Sequence, residues 1–211
     1  MASIRDKIVL AFQAAEKINS ALWGDGIDGS YASIEELLDH VQAHFDVKVT
    51  IYAVDVEAWF IFGFIERFSE GREATIWLVK NIGSRWLRAV GTKELCQLVL
   101  DMPEDWSTNG LDTLRRLATS TLMVELDAPE NIAVRSEYLA EIVSWEILYP
   151  HEFRRRDAQA LADGRTTRAA LANRYKLPEE LVEEILSPPY IDFCEKYWRE
   201  VARLKVSDNE G

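Results

Sequence analysis

The residues best suited to chemistry lie between Ser84 and Asp101, where apolar residues recur at the spacing of a mostly buried helix. The positions of the zinc-peptidase motif His-Glu-x-x-His are occupied here by Lys93-Glu94-Leu95-Cys96-Gln97. In that motif two imidazoles on one helical face hold the metal, and the glutamate deprotonates the bound water. Lys93 has no lone pair at neutral pH, and Gln97 offers only a neutral amide. The sequence therefore predicts an emptied metal site in which Glu94 is the remnant general base.

A second informative block runs from Glu137 to Pro150. Here the chain resembles the ImmA/IrrE family of metallopeptidases, in which the zinc helix is followed by a helix of pattern Glu-x-Glu-Ala-Asn-x-Phe-Ala-x-x-Leu-Leu-x-Pro. The residues in register with this pattern, without a gap, are Glu137, Ala140, Val143, Ser144, Ile147, Leu148 and Pro150. Leu139 and Glu141 depart from it. The resemblance covers roughly residues 30 to 190.

The resemblance implies a site and a function. The family's third zinc ligand is a carboxylate in the first part of this motif, so either Glu137 inherits that role or Leu139 has replaced it. Active members cleave regulatory proteins, often DNA-binding repressors, and are associated with phages and mobile elements. An edge strand beside their site binds extended substrate by main-chain hydrogen bonds. We therefore expect a noncatalytic relative that binds or regulates a protein partner, such as a regulatory or repressor protein.

Two other functions remain open at this stage. In the first, the chain is a metallopeptidase or hydrolase with an altered site, where Glu94 is the base and Glu137, Glu141 or Asp101 holds Mg²⁺ or Mn²⁺. Lys93 opposes that reading, because a cation repels a neighbouring metal ion. In the second, the chain is a structural assembly protein. We therefore predict no catalytic residue, no bound metal and no cofactor at the positions of the former site, which are Lys93, Glu94, Gln97 and Glu137.

Composition narrows the possible partners. The net charge of -12 opposes nonspecific nucleic-acid binding, which depends on cations that neutralise phosphates. Residues 167–178 superficially suggest a helix-turn-helix, but acidic residues follow them. No apolar run approaches a membrane span and the first residues lack a signal peptide, so we expect a cytoplasmic protein without membrane contact. Cys96 and Cys194 are expected to be buried, inert thiols.

The periodicity predicts an α+β fold. Helices are expected over residues 4–22, from a capping box at Ser33 to Phe45, over 111–126 and over 190–204. Strands are expected over 47–54, 59–65 and 74–79, with a turn at 69–72, in a small, mostly antiparallel three-stranded sheet. Residues 1–150 would form a zincin-like core, and residues 151–211 a helical extension packed on it as one unit. The last helix would pack back or form a homo-oligomer.

Three further groups of residues are expected to be structural. His40 and His44 have the i, i+4 spacing of metal ligands, but no third ligand is evident nearby. Arg154 to Arg156 are expected on the surface or paired with the acidic segment Glu179 to Glu184. The aromatic residues of the strands are expected in the core; they include Trp59, Phe60, Phe62, Phe64 and Trp77.

Overall fold

A computed structural model describes residues 3–23, 33–55, 62–101 and 132–209. Within these ranges the chain has an α+β fold that is mostly helical, as predicted. The helices are α1 (Ile4–Trp23), α2 (Ile34–Phe45), α3 (Ser84–Leu100), α4 (Ile132–Leu148), α5 (His151–Ala162), α6 (Arg168–Tyr175), α7 (Glu179–Ile185) and α8 (Pro188–Asn209). The strands are β1 (Lys48–Val54), β2 (Gly63–Phe68) and β3 (Glu73–Val79). The helix predicted over 111–126 lies outside the described residues.

The three strands form one sheet in the order β1-β3-β2. The short turn at Ser69–Gly71 makes β2 and β3 antiparallel, as predicted. Strand β1 pairs with β3 in parallel, so the sheet is mixed rather than mostly antiparallel. Strand β3 is the most buried of the three and takes the centre, with Ala74, Ile76 and Leu78 in the core. Because the hairpin places β2 at one edge of β3, β1 pairs with the other edge.

The first two helices follow their local signals. Helix α1 covers the predicted range with one further residue. The capping box before α2 is confirmed, because Glu36 N donates to Ser33 Oγ at 3.1 Å and Ser33 N donates to Glu36 Oε2 at 2.7 Å. Helix α3 begins at Ser84, and its N-cap is Gly83, at a φ of 85° that favours glycine.

Helix α3 is the central element, and two glycines allow close contact with it. A Cβ atom on Gly91 would lie 2.3 Å from Cδ1 of Ile34 in α2. A Cβ atom on Gly63, at the start of β2, would lie 2.6 Å from Cγ1 of Val90. At the other end of β2, Arg67 donates to the carbonyl of Gln97 at 3.2 Å. Strand β2 therefore runs alongside α3 from its middle to its last turn.

The C-terminal helices pack on the rest of the chain. Phe12 in α1 is fully buried. The centroid of its ring lies 5.7 Å from that of Tyr197 and 5.2 Å from that of Trp198, both in α8. A second apolar cluster joins Trp145 in α4 to helices α6 and α7. The aromatic residues of α8 thus pack against the rest of the fold, which is one of the two outcomes predicted for this helix.

The arginines at 154–156 do not pair with the acidic segment that follows Pro178. Arg155 and Arg156 lie on the surface, which was the other expected outcome, but Arg154 does not. Arg154 is buried and its Nη2 lies 2.5 Å from Glu146 Oε1 in α4. Arg155 pairs with Glu195, and Arg156 with Asp157. The cause is the helical period, which turns position 154 of α5 inward while its two neighbours stay outside.

The thiols of Cys96 and Cys194 are free and buried, as predicted. Among the helices of the described ranges, none combines the length and the apolar character needed to cross a membrane.

Candidate functional site

Helices α3 and α4 bring together all four residues that the sequence singled out. The Lys93 ammonium contacts Glu137 Oε2 and lies 3.1 Å from Glu94 Oε1. The amide of Gln97 donates to the other oxygen of Glu137, Oε1, at 2.5 Å. We refer to these four residues, Lys93, Glu94, Gln97 and Glu137, as the Lys93 cluster.

Helical geometry explains the arrangement within α3. Residues 93 and 97 are one turn apart and share the face toward α4, where both reach the same carboxylate. Glu94 follows about 100° around the helix and points into the protein. Its side chain is 1% exposed, against 24% for Lys93 and 28% for Glu137. Glu94 is therefore the buried member of the cluster, and the side chains of Lys93 and Glu137 reach the surface.

The geometry favours Glu137 over position 139 as the cluster's carboxylate. Glu137 contacts both Lys93 and Gln97, whereas Leu139 is buried in the apolar core. Leu139 lies two residues further along α4, about 200° around the helix. Glu141 is exposed, one turn after Glu137. Its spacing from Glu137 places it on the same side of α4 as the cluster.

A neighbouring network involves residues that the sequence did not assign to the cluster. Arg67 of β2 donates to Asp101 Oδ2 at 2.8 Å, and Ser136 of α4 donates to Asp101 Oδ1 at 2.6 Å. Asp101, considered above as an oxygen ligand for a metal, is thus an acceptor that ties β2 and α4 to the end of α3. Nothing in the local sequence pairs Arg67 with this site, because the contact spans 34 residues.

The buried carboxylate of Glu94 lacks hydrogen-bond donors. Neither of its oxygens accepts a hydrogen bond from the described residues, and the Lys93 ammonium lies beside Oε1 without hydrogen-bond geometry. Burial raises the pKa of Glu94 to about 7, although the charge of Lys93 opposes the rise. Near neutral pH, Glu94 therefore exchanges a proton within a nearly closed site.

We expect Glu94→Gln to flatten the pH dependence of stability. The folded pKa of about 7 exceeds the ordinary value of 4.5, so the native state retains a proton that the unfolded chain has lost. Native stability should therefore fall as the pH rises from 4.5 to 7. Gln remains neutral, so the variant should match the native chain at low pH. Above the folded pKa it should be more stable than the native chain, by on the order of 3 kcal/mol.

Urea unfolding at several pH values from acidic to mildly alkaline measures this difference. Glu152→Gln is the matched control, because Glu152 is exposed on α5. It should leave the pH profile unchanged. Parallel profiles for the native chain and Glu94→Gln would show that Glu94 does not titrate in this range.

The residues of the cluster do not fit a zinc ion. Lys93 lies between Glu94 and Glu137, and these two carboxylates raise its pKa against the opposing effect of desolvation. Gln97 directs an N–H group, not an oxygen, at Glu137. Across the part of the chain that the structure describes, no group of three His, Cys, Asp or Glu side chains could hold a metal ion.

The histidine pair on α2 is a separate feature. The rings of His40 and His44 stack at 4.1 Å, and His44 Nδ1 donates to the carbonyl of His40 at 2.9 Å. Burial lowers the pKa of His40, and the charge of His44 lowers it further. The pair has the spacing of two ligands but gains no third ligand among the described residues.

The strand aromatics do not all enter the core, which corrects the expectation above. Phe62 and Phe64 are exposed, and Trp77 is half-buried. Trp77 stacks on Tyr52 at 5.1 Å and on Phe64 at 6.2 Å, forming a row across the three strands. Alternation along β2 is the cause, because its Ile65 side chain faces the core and Phe64 faces outward. Trp59 and Phe60 lie outside the described residues.

Comparison with protein-family models, curated proteins and solved structures finds no significant match to this chain.

Proposed function

We propose that this chain is a noncatalytic, metallopeptidase-like protein with a zincin-like core that binds or regulates another protein. One observation carries the proposal. Lys93 and Gln97 occupy the two histidine positions of the metal-binding motif, and Glu137 of the following motif helix meets both of them. This contact supports the assignment of Glu137 as the third carboxylate of a former metal site that has lost both histidines.

The Lys93 ammonium supplies the charge that a metal ion would supply. It lies between two carboxylates, of which Glu94 is nearly fully buried. An uncompensated pair of carboxylates in such a place is costly, and a cation held between them offsets that cost. Lys93 also connects α3 to α4. These contacts support a cluster that retains the architecture of a peptidase site without its chemistry.

Strand β2 supplies a binding edge beside the cluster. Val79 N donates to the carbonyl of Phe62 at 2.9 Å, which marks these residues as a hydrogen-bonded pair of the antiparallel ladder. Because such pairs alternate, the main-chain groups of Ile65 point away from β3. None of the described strands pairs with that outer edge. An extended segment of a partner could add there as a fourth strand.

Selection of random peptides on the full chain, followed by binding measurements with an Ile65→Pro variant, tests this function. Proline removes the outward N–H group and blocks close approach at an edge position that tolerates it. Affinity for the selected peptides should fall about tenfold, the worth of roughly one hydrogen bond. Ile65→Ala is the matched control, because it removes the packing of the side chain but retains the N–H group.

The same experiment separates the other two functions. The selected peptides should remain uncleaved, by mass spectrometry, after incubation with the chain and Zn²⁺, Mg²⁺ or Mn²⁺. Cleavage that Glu94→Gln abolishes would favour an enzyme with an altered site. Equal binding to the proline and alanine variants, or no selectable peptide, would contradict binding at the β2 edge and favour a structural assembly role.

A further inference from the structure

We propose that the segment added to the outer edge of β2 places an aromatic side chain opposite Phe64, where it continues a row of rings that crosses the sheet. This inference rests on the proposed function and names the chemistry of the partner segment. It follows from the spacing of the rings, from the pairing of β2 with β3, and from the exposure of Phe64 at the end of the row.

The row consists of Tyr52 in β1, Trp77 in β3 and Phe64 in β2. Tyr52 and Phe64 are the residues that pair with Trp77 in the two neighbouring strands. The ring centroids of Tyr52 and Trp77 lie 5.1 Å apart, those of Trp77 and Phe64 lie 6.2 Å apart, and the ring planes differ by 26° and 22°. Strands in a sheet lie about 4.8 Å apart, so each ring stacks on the ring of the next strand. A fourth strand beside β2 would place a side chain in the next position of this row.

The middle ring of the row is held in place by a hydrogen bond. Trp77 Nε1 donates to Glu66 Oε2 at 2.6 Å, and Glu66 lies two residues after Phe64 on the same face of β2. Rotation of the Trp77 ring would break this bond to a carboxylate, which is stronger than a bond between neutral groups. Phe64 therefore stacks on a ring of fixed orientation, and a further ring can stack on Phe64 without rearrangement of the row.

The two ends of the row differ. At the β1 end, Val49 N donates to Oε1 of Gln42 in α2 at 3.0 Å, so a helix side chain already occupies one main-chain group at that edge. At the β2 end, Phe64 is 38% exposed, and Trp77 is the one ring of the described residues that stacks on it. The β2 end is therefore the open end of the row.

The pairing of β2 with β3 determines how a partner residue meets Phe64. The bond from Val79 N to the Phe62 carbonyl makes Phe64 and Trp77, two residues further along each strand, a hydrogen-bonded pair as well. The main-chain groups of Phe64 thus point toward β3. In an antiparallel added strand, the residue opposite Phe64 would belong to a non-hydrogen-bonded pair, in which the Cα atoms lie about 4.5 Å apart and the side chains are closest. An aromatic pair at such a position contributes more than the burial of its area alone.

Selection of random octapeptides on the full chain tests this preference. The selected peptides should share an aromatic residue at one position. In the tightest of them, changing that residue to Leu should weaken binding to the native chain about fivefold by fluorescence anisotropy, as expected for the loss of one aromatic pair. On the variant Phe64→Leu the same change in the peptide should have no effect, because the ring on which the aromatic residue stacks is absent.

Phe68→Leu is the matched control, because Phe68 is an exposed ring on the same face of β2 that lies outside the row. On this variant the change in the peptide should still weaken binding about fivefold. Selected peptides without a shared aromatic residue, or an equal effect of the peptide change on both variants, would overturn the inference. If binding of those peptides is nevertheless weakened by Ile65→Pro, the proposed function stands.

Two further outcomes would also overturn the inference. Dimerisation of the native chain that Phe64→Leu abolishes, measured by analytical ultracentrifugation, would assign the β2 edge to a second copy of the chain. If selection on the full chain yields no peptide, the proposed function fails together with the inference.

Discussion

Replacing Lys93 and Gln97 together by histidine is expected to create a zinc site. The double variant Lys93→His/Gln97→His would present two imidazoles one helical turn apart, with Glu137 on the facing helix as third ligand and Glu94 beneath them. Structural zinc sites contribute on the order of 10 kcal/mol, so a gain of at least about a thousandfold in affinity, ~4 kcal/mol, is a modest expectation. Calorimetric titration with Zn²⁺ and elemental analysis after desalting measure the stoichiometry.

Two controls make the result specific to the Lys93 cluster. The substitutions are made in a His40→Ala/His44→Ala background, because the stacked pair on α2 is the competing place for a metal. Glu137→Ala added to the zinc-binding variant should reduce its affinity at least about a hundredfold, because even loss of a group that only orients a ligand costs ~10–100-fold. Substoichiometric zinc, or zinc that survives Glu137→Ala, would argue that these positions never formed one metal site.

Breaking the ion pair between Glu146 and Arg154 is expected to have the largest effect on stability. Both side chains are almost completely buried, and Trp198 Nε1 also donates to Glu146 Oε2 at 3.0 Å. Arg154 Nε donates to the carbonyl of Tyr149 at 2.9 Å. Glu146→Leu would leave the arginine buried without its counter-ion, which costs about 3–5 kcal/mol. Urea unfolding followed by circular dichroism measures the loss.

A double-mutant cycle distinguishes the lost pair from lost packing. Glu146→Leu/Arg154→Met should be less destabilised than the two single variants together, because the double variant leaves neither charge buried alone. Arg165→Met is the surface control, since its pair with Asp163 is exposed and should cost less than about 1 kcal/mol. Additive effects of the two buried substitutions would mean that the charges do not depend on each other.

The mutual dependence of these residues also bears on domain organisation. Glu146 belongs to α4, Arg154 to α5 and Trp198 to α8, so a single buried network joins helices on both sides of Pro150. If residues 151–211 are an extension that folds with the core, Glu146→Leu should lower the unfolding midpoint of the whole chain in one transition. Two separate transitions would favour independent units.

Features that depend on neighbouring residues were predictable before the fold was known. The capping box at Ser33 predicted the start of α2, and apolar spacing predicted α1 and the central helix. The i, i+4 relation of Lys93 and Gln97 already implied one shared face. These features were predictable because helix periodicity and capping are interactions within a few residues along the chain.

How distant residues combine depends on the packing of separate elements. Packing brought Glu137 to Lys93 and Gln97 across 44 and 40 residues, buried Glu94 without a hydrogen-bond donor, and turned Arg154 inward to Glu146. It also made the sheet mixed and exposed Phe64. The physical reason is that each of these outcomes depends on which faces of separate elements pack together, and a local pattern of charge or apolarity does not specify its partner.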